Sequence, residues 1–402
     1  MFWHCIHIID IALWLLMAAS VVYILFFALV STLWKKRVSR LTRYLTGQVL
    51  SMRKKDFFSY LILYPAYNED RVIVNSVQKF LAQYYPYNCF HVAVISDHMQ
   101  PETNEKLAAL PITLLQPVFE KSSKAKAMQY AMDQIKDDYD FIVILDADNV
   151  VEPHFLEQLN TECAKGYKAI QCHRCAKNND NDIAVLDGVS EEINNTIFRK
   201  AHNRIGLSSA LIGSGMCFDY AWFKENVYKL TTAGEDRELE ALLLQQKIYI
   251  HYEPEIHVFD EKVSNKDNFQ KQRLRWMTAQ IQSLFRLLPY IPKAIMTFNI
   301  DYIDKTIQQA LSPRSMLVVG AFGMSIVMTV FSLLFSLFWY VKWWCMFLAI
   351  CIALYVATPK QLRKHSVFGK ILSLPRLVWK MAMNILKIDR KNTDFIHTTH
   401  DK

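Results

Sequence analysis

The stretch Phe141-Ile142-Val143-Ile144-Leu145-Asp146-Ala147-Asp148-Asn149 places two carboxylates, one residue apart, directly after five apolar residues. A short apolar run of this kind is typical of a buried strand. Ligands of open α/β sheets bind beyond the carboxyl ends of the strands, where Asp146 and Asp148 would then lie. Paired carboxylates can hold a hard divalent cation together with substrate phosphates. Because Asp-x-Asp also fills turns, the motif indicates metal-assisted chemistry only if other residues converge on it.

Strand-like and helix-like patterns alternate through residues 56–290, which we interpret as one α/β body. The predicted strands are 59–64, 90–96, 112–116 and 140–145, and the predicted helices are 71–83 and 123–135. Strands separated by helices pair in parallel, so the sequence predicts a doubly wound, mostly parallel sheet. The loops after the first, second and fourth strands then share one edge. They carry Tyr67-Asn68-Glu69, Asp97 and the Asp146/Asp148 pair.

Three further motifs follow downstream. Gly213-Ser214-Gly215-Met216 is a glycine-containing loop, and Gly234-Glu235-Asp236-Arg237-Glu238 begins a helix that runs to about residue 246. Gln272-Arg273-Leu274-Arg275-Trp276 lies in an amphipathic segment, 269–288, that is typical of an interfacial helix. Cys172 and Cys175 form a CxxC, but the sequence has no second half of a zinc site to complete it.

Apolar residues are concentrated at the two ends of the chain. Residues 6–30 and 315–357 are almost uninterrupted apolar runs, each longer than the ~20 residues that cross a bilayer. We interpret the second run as two spans joined by a tight turn at Lys342. A cleaved signal peptide is disfavoured, since no Lys or Arg precedes the first run and that run continues past Ser20. Asp10 lies near the outer end of the first span, where we expect it to reach solvent.

Basic residues predict the orientation of the spans. They follow the first span (Lys35, Lys36, Arg37, Arg40, Arg43) and the last (Lys360, Arg363, Lys364). By the positive-inside rule both flanks are cytoplasmic, so we expect a multi-pass protein of the cell (inner or plasma) membrane with a cytoplasmic body. The predicted domains are an anchor (1–34), a cytoplasmic body (35–290), two spans (291–358) and a cytoplasmic amphipathic segment (359–402). The net charge of +8 favours contact with membrane lipid over nucleic acid.

The motifs taken together resemble those of a family 2 glycosyltransferase of the membrane-embedded kind, related to hyaluronan, chitin and cellulose synthases. The resemblance runs from about residue 60 to residue 276 and includes the flanking spans. Glu235-Asp236 resembles the base motif often written Thr-Glu-Asp, with Gly234 in place of Thr. Gln272, Arg275 and Trp276 match the Gln-x-x-Arg-Trp signature. The other matches are Pro65-Ala66-Tyr67-Asn68-Glu69, Asp97, Lys124, Asp146-Ala147-Asp148 and Gly213-Ser214-Gly215.

This resemblance implies a GT-A fold and inverting transfer of a sugar from a nucleotide diphosphate, with a UDP-sugar as the expected donor, to a glycan or lipid-linked acceptor hydroxyl. It implies Mg²⁺ or Mn²⁺ bound by Asp148, with Asp146 on the metal or the ribose, and Asp236 as catalytic base beside Glu235. The residues it assigns to the nucleotide sugar are Tyr67, Asn68, Glu69, Asp97, Lys124, Asp146, Gln272, Arg275 and Trp276. The residues it assigns to the acceptor are Gly213, Ser214, Gly215 and Trp276.

Several alternatives stay open at this point. Glu235 or Asp236 could cap a helix, Lys124 could be a solvated helix start, and Arg275 with Trp276 could anchor an interfacial helix. Processive polysaccharide synthesis and non-processive extension of a lipid or oligosaccharide are close alternatives. Three spans are few for a polysaccharide channel, and a homo-oligomer would supply more. A catalytically inactive membrane scaffold and a nucleotidyltransferase are the rivals from other classes.

Overall fold

The computed structural model describes residues 2–34, 55–178, 181–232, 234–262, 266–335 and 339–363. The basic segment after the first span and the expected amphipathic tail lie outside these ranges. Within them, eight strands form one sheet. The strands are β1 (Tyr60–Tyr67), β2 (Phe90–Asp97), β3 (Thr113–Leu115), β4 (Phe141–Ile144), β5 (Val150–Val151), β6 (Ala169–Ala176), β7 (Met216–Asp219) and β8 (Ile250–Asp260).

The strand order in the sheet is β3-β2-β1-β4-β7-β6-β8-β5. β1 pairs in parallel with β2 and β4, β2 with β3, and β6 with β8. β7 runs antiparallel to both β4 and β6, and β5 antiparallel to β8. Two antiparallel steps restore the direction, so β1, β2, β4, β6 and β8 all end at one edge. The predicted mostly parallel α/β sheet is confirmed, with β7 as an antiparallel insertion that the sequence did not indicate.

Strand β4 lies in the middle of the sheet, between β1 and β7, and every one of its side chains is buried. Phe141 and Val143 pack into the core on one face, while Ile142 and Ile144 pack into the core on the other. A strand covered on both faces reads as a continuous apolar run because neither face meets water. This explains why an unbroken apolar stretch precedes Asp146.

Helices cover both faces of the sheet. They are α2 (Ile73–Leu81), α3 (Pro101–Ala108), α4 (Lys124–Gln134), α5 (Phe155–Ala164), α6 (Asp182–Asn194), α7 (Tyr220–Asn226), α8 (Glu235–Gln245), α9 (Lys266–Leu287), α10 (Ile291–Met296) and α11 (Ile300–Ala310). Helix α6 continues without a break into a π-helix, Asn195–Ala201, and a last turn, His202–Arg204. π-Helical turns are rare in proteins, and those that occur often lie at functional sites.

Three helices are long and apolar enough to cross a membrane: α1 (Phe2–Leu33), α12 (Arg314–Phe335) and α13 (Tyr340–Ala357). Their shared core contains side chains from all three, among them Ile24, Ala321 and Ile350. The expected turn at Lys342 is wrong. Helix α12 ends at Phe335, and Lys342 lies inside the first turn of α13.

The expectation that Asp10 reaches solvent is also wrong. Asp10 is only 2% exposed. Its carboxylate pairs with the ammonium of Lys342 and accepts a hydrogen bond from the indole of Trp343 at 2.8 Å. The two charges that interrupt the apolar runs of α1 and α13 therefore neutralise each other between helices. A charge inside a span is tolerated when such a partner is present.

Helix α1 also packs against the central body. The Tyr23 hydroxyl donates to Asp304 of α11 at 2.7 Å and lies 2.9 Å from the His202 ring. Phe27 stacks on that same ring with centroids 3.7 Å apart. Arg204 donates to the carbonyl oxygen of Ser31. Helix α1 is thus bonded to the end of the helical run that contains the π-helix.

Candidate active site

A cavity of about 360 Å³ opens at the edge of the sheet where β1, β2, β4, β6 and β8 end. The predicted residues that line it are Tyr67, Glu69, Asp97, Lys124, Asp146, Asp148, Gly213, Glu235, Asp236, Gln272, Arg275 and Trp276. These residues come from segments more than 200 positions apart in the sequence, and the fold brings them around one space. Asn68, Ser214 and Gly215 do not line it.

The Asp146-Ala147-Asp148 turn follows β4 and is held by its neighbours. The Asp146 backbone N–H donates to Asn149 Oδ1 at 3.0 Å and to Ser214 Oγ at 3.1 Å. Asp148 is 5% exposed, and its Oδ2 accepts the backbone N–H of Glu261 at 2.8 Å. The backbone of Asp146 and the carboxylate of Asp148 are therefore both held in place by hydrogen bonds, and a carboxylate oxygen that accepts one such bond keeps a second lone pair for a further partner.

Lys124 stands at the first position of α4, after Ser123, whose side chain caps the helix. Its ammonium contacts the Asp146 carboxylate, donates to the carbonyl oxygen of Gly213 at 2.7 Å, and lies 3.7 Å from Glu235 Oε1. Burial by itself lowers the pKa of Lys124, but the carboxylates of Asp146 and Glu235 outweigh burial and raise it. Lys124 is therefore a cation that joins the Asp-x-Asp turn to the start of α8.

Glu235 and Asp236 form the first turn of α8, and both carboxylates face Gly213: a Cβ at that glycine would lie 3.7 Å from Glu235 Oε1 and 3.8 Å from Asp236 Oδ2. Glu235 is buried, and burial raises its pKa to about 7 against the opposing effect of Lys124. Asp236 Oδ1 accepts the backbone N–H of Arg237 at 2.8 Å. Asp236 thus makes the helix-terminal hydrogen bond, while Glu235 approaches Lys124.

The ends of β1 and β2 form the opposite part of the cavity. Tyr67 pairs in register with Asp97, and the Asn68 N–H donates to the Asp97 carbonyl at 3.2 Å. Asn68 has a φ of +53°, a conformation that asparagine adopts more readily than most residues. The Asp97 carboxylate is buried and accepts from His98 Nδ1 at 2.6 Å. Asn68 therefore sets the turn that presents Tyr67 and Glu69 rather than facing the cavity itself.

The Gln-x-x-Arg-Trp residues lie on helix α9. Gln272, Arg275 and Trp276 stand at helical spacings of three and four, which places them on one face, and all three line the cavity. Gln272 Oε1 is buried without a hydrogen-bond partner among the described residues. Arg273 instead bonds Asp187 at 2.6 Å and lies 4.7 Å from the Trp276 ring centre. Arg273 thereby holds the ring of Trp276 at the cavity wall.

Only part of the glycine loop reaches the cavity. Gly213 lines it, whereas Ser214 is fully buried behind the wall, where its hydroxyl contacts Asn149 and accepts from Asp146. Gly215 has a φ of +63°, and a Cβ there would meet Val258 at 3.0 Å. Ser214 and Gly215 therefore support the Asp146 turn from behind, and neither is placed to contact an acceptor directly.

One wall of the cavity is formed by a buried cluster of charged side chains. The sequence did not indicate this cluster. Arg174 Nη2 bonds Glu191 at 2.9 Å, and Lys262 Nζ lies 2.7 Å from Asp260 and 3.3 Å from Glu191. Arg199 of the π-helix lies 3.8 Å from Glu191. Burial alone would raise the pKa of Glu191, but Arg174 and Lys262 outweigh burial and lower it. These charges are thus paired, and they hold β6, β8 and α6 together at the cavity.

One of these residues carried a signal in the sequence. Asp260 is the last residue of β8, a strand parallel to β6, so it follows the same rule of an acid at a strand end that indicated Asp97 and Asp146. The partners of Asp260 could not be found in that way, because Arg174 and Glu191 lie in the middle of a strand and a helix. Their proximity depends on tertiary packing alone.

The charge of the cavity bears on what it can bind. Ten acidic and six basic side chains line it. An anionic diphosphate would meet net repulsion there unless a cation accompanied it. The donors at Asp146 and Asp148 are carboxylate oxygens, the ligands that Mg²⁺ and Mn²⁺ prefer. The residues present therefore fit a hard divalent cation at the Asp-x-Asp turn.

Comparison with known proteins identifies the family. A family profile described as "Glycosyltransferase like family 2" matches residues 59–279, more than half of the chain and the whole segment that forms the sheet and cavity. The chain belongs to this family. The protein is accordingly a glycosyltransferase, and its mixed, mostly parallel sheet with flanking helices is of the GT-A kind. No curated protein sequence matches the chain.

Several solved structures are similar to this chain at low sequence identity. A mannosyltransferase from Pyrobaculum calidifontis, in complex with GDP-Man and Mn²⁺, is 14% identical over 85% of this chain and 98% of its own, with a TM-score of 0.48. S. aureus TarS 1-349 is 12% identical over 83% and 89%, with a TM-score of 0.42. Glucosyl-3-phosphoglycerate synthase from Mycobacterium tuberculosis, with Mn²⁺ and UDP, is 14% identical over 53% and 75%, with a TM-score of 0.36.

Proposed function

We propose that this glycosyltransferase transfers a sugar, with inversion, from a nucleotide diphosphate donor to a hydroxyl of a glycan or lipid-linked acceptor at the membrane. UDP-sugars are the donors expected first. One observation carries the proposal: Lys124 bridges Asp146 and Gly213 and lies 3.7 Å from Glu235, so a single cation joins the proposed donor side to the proposed base side.

The donor side of the cavity comprises the ends of β1, β2 and β4. Asp97, buried and anchored by His98, is proposed to receive the nucleotide base, with Tyr67 and Glu69 beside it. Asp148 is the proposed direct ligand of Mg²⁺ or Mn²⁺, and Asp146 contacts the metal or the ribose. The bound cation would act as a Lewis acid that neutralises charge on the departing diphosphate. The departing diphosphate would then not need a proton from a side chain of this protein.

The helix α9 residues complete the donor side. Arg275 has a guanidinium that can bind diphosphate oxygens in a bidentate manner, and Trp276 offers a ring face for a sugar. Gln272 Oε1 is buried and has no hydrogen-bond partner in the described part of the chain, so it is an acceptor available for a hydroxyl of the substrate. These three side chains share one helical face, so a substrate could contact them together.

The acceptor side is the start of α8. An attacking hydroxyl must lose its proton, and a carboxylate on the far side of the sugar can take it. We assign this role to Asp236, whose Oδ1 already accepts a backbone N–H and whose Oδ2 faces Gly213. Glu235 is assigned to Lys124, which it approaches at 3.7 Å. The acid pair then divides into a base and a residue that positions the bridging lysine.

The three apolar helices and the basic flanks of the sequence support placement in a membrane. The proposed topology has an external N-terminus, a cytoplasmic catalytic body and cytoplasmic flanks. Side chains fill the space between α1, α12 and α13, including the fully buried Trp343. A packed bundle of this kind favours non-processive extension of a lipid-linked or oligosaccharide acceptor over extrusion of a long polymer through these helices.

A donor screen with the full chain tests the proposal. Purified protein in detergent or reconstituted in lipid is given UDP- and GDP-sugars with lipid and oligosaccharide acceptors, with Mn²⁺, Mg²⁺ or EDTA, and nucleotide release and product mass are measured. We expect nucleoside diphosphate release that needs a divalent cation and is lost in Asp148→Asn. Pyrophosphate release would indicate a nucleotidyltransferase. Absence of turnover and of nucleotide binding with every donor would leave the inactive scaffold as the better interpretation.

A further inference from the structure

Strands β6 and β8 pair irregularly at one point. Cys172 pairs with Glu253, but the next residue, His173, pairs with His257, so three residues of β8 are skipped. The irregularity sets the two histidines directly opposite each other on neighbouring strands. Cys175 lies two residues beyond His173 and therefore on the same face of β6. Cys172, the other cysteine of the CxxC, is buried in the apolar core.

These three side chains form a compact group of metal-binding atoms. One nitrogen from each of His173 and His257 and the sulfur of Cys175 all lie within 4.8 Å of one another. All three residues are half-buried. Tetrahedral zinc sites built from cysteine and histidine need donor atoms roughly 3.3–3.8 Å apart, given the usual Zn–N and Zn–S bond lengths. The three atoms are thus close enough together for one ion to contact all of them.

The hydrogen bonding of His173 provides independent support. Its Nε2 lies 2.8 Å from Glu192 Oε1, and a carboxylate can only accept, so Nε2 carries the proton. The other nitrogen, Nδ1, is buried without a hydrogen-bond partner among the described residues. A histidine that donates one N–H to a carboxylate and keeps the other nitrogen unpaired is arranged as metal-ligating histidines are.

We propose that His173 Nδ1, His257 and Cys175 bind a zinc ion, with Glu192 orienting His173 and a water molecule in the fourth position. On binding, the Cys175 thiol loses its proton to solvent and coordinates as the thiolate. The donor set of two imidazoles and one thiolate suits Zn²⁺ and not Mg²⁺ or Mn²⁺. The site is thus chemically distinct from the all-carboxylate Asp-x-Asp turn.

The site has a structural consequence. Arg174 stands between His173 and Cys175 on β6 and points to the opposite face, where it lines the catalytic cavity. An ion that ties β6 to β8 at their irregular pairing would fix the backbone that carries Arg174. The proposal concerns stability of this wall, and it stands whether or not the donor and acceptor assignments above are correct.

Metal analysis of the full chain, purified without a polyhistidine tag, tests the proposal. We expect about one zinc ion per chain by mass spectrometric element analysis. Replacement by Co²⁺ should give the near-ultraviolet charge-transfer band of a thiolate–cobalt bond. Cys175→Ser should abolish the band, and Glu192→Gln should weaken Zn²⁺ binding about 10- to 100-fold. Cys89→Ser is the matched control, because Cys89 is a half-exposed cysteine outside the group, and it should change neither readout.

Two results would overturn the proposal. One is wild-type protein that holds no zinc and gives no thiolate–cobalt band on titration with Co²⁺. The other is a band and a zinc content that persist equally in Cys175→Ser and His257→Gln. The wild-type cobalt spectrum requires no variant, so the proposal stays testable even if a substituted chain does not fold.

Discussion

Replacing Lys124 by methionine removes the cation that joins the two sides of the active site. Its ammonium contacts Asp146, the Gly213 carbonyl and, at 3.7 Å, Glu235. A hydrogen bond to a charged group contributes about 1.5–3 kcal/mol, and each 1.36 kcal/mol of transition-state stabilisation is a factor of ten in rate. We therefore expect Lys124→Met to lower kcat/KM by roughly 10- to 150-fold.

The same substitution should leave the fold intact. The Asp146 side chain is 34% exposed and can be hydrated, and Glu235, whose pKa burial already raises to about 7, can take up a proton instead of remaining an unpaired anion. The cost in stability should then stay below the ~3–5 kcal/mol of a fully buried broken pair. Because Glu235 is assigned to position Lys124, its titration near pH 7 should no longer shape the acidic limb of the pH–rate profile once Lys124 is removed.

The assay is initial-rate release of nucleoside diphosphate from the donor that the screen identifies, measured from pH 5 to 9. Lys126→Met is the matched control, since Lys126 lies on the same helix but is exposed, and among the described residues its ammonium donates to the carbonyl of Lys121, away from the cavity. Equal rates for the two variants, within about twofold, would refute the bridging role of Lys124. So would a Lys124→Met profile whose acidic limb coincides with that of the wild type.

Three further predictions concern the metal, the acid pair and the membrane helices. Asp148→Asn should abolish the increase in rate and in nucleotide affinity that Mn²⁺ produces, whereas Asp146→Asn should only reduce this increase. Mn²⁺ titrations of the two variants that match the wild type would contradict the assignment of these residues as metal ligands. Burial raises the pKa of Glu235 from its ordinary value of 4.5 to about 7. The protonated Glu235 side chain therefore stabilises the fold fully below about pH 4.5, and this stabilisation is lost as the pH rises through 7. Thermal unfolding of Glu235→Gln should lack that part of the pH dependence, and a parallel curve would argue against the shift. Asp10→Asn and Lys342→Met should each lower the free energy of unfolding in detergent by up to about 3–5 kcal/mol. The double variant should lose less than the sum of the two single losses, because the two side chains form one ion pair. Additive losses would show that the two charges do not interact.

Much of the fold and of the donor side could be predicted from the sequence. Apolar runs that end in acids indicated β2 and β4, and with them Asp97 and Asp146, because strand ends in a parallel sheet gather at one edge. The amphipathic pattern of residues 269–288 likewise indicated the helix that carries Gln272, Arg275 and Trp276. Such signals are local, and they depend only on how a strand or helix repeats.

The remainder depended on contacts between distant segments. Asp10 was expected in solvent because its partner Lys342 lies 332 residues away, and no periodicity connects the two. Ser214 was expected at the acceptor because Gly213-Ser214-Gly215 resembles the acceptor loop of the family, yet the turn buries its hydroxyl against Asn149. The pairing of His173 with His257 arises from a skip in β8 that the sequence of either strand does not reveal.

The contact between the first membrane helix and the central body limits how the enzyme can be handled. Residue 34 is a boundary in composition but not in packing, because Phe27 stacks on His202 and Tyr23 bonds Asp304. A fragment that starts after residue 34, the usual route to a water-soluble preparation, would uncover this surface at the end of the helix that carries Arg199. Helix α1 is in that sense part of the scaffold that supports the cavity wall, because its contacts reach the helical run that carries Arg199.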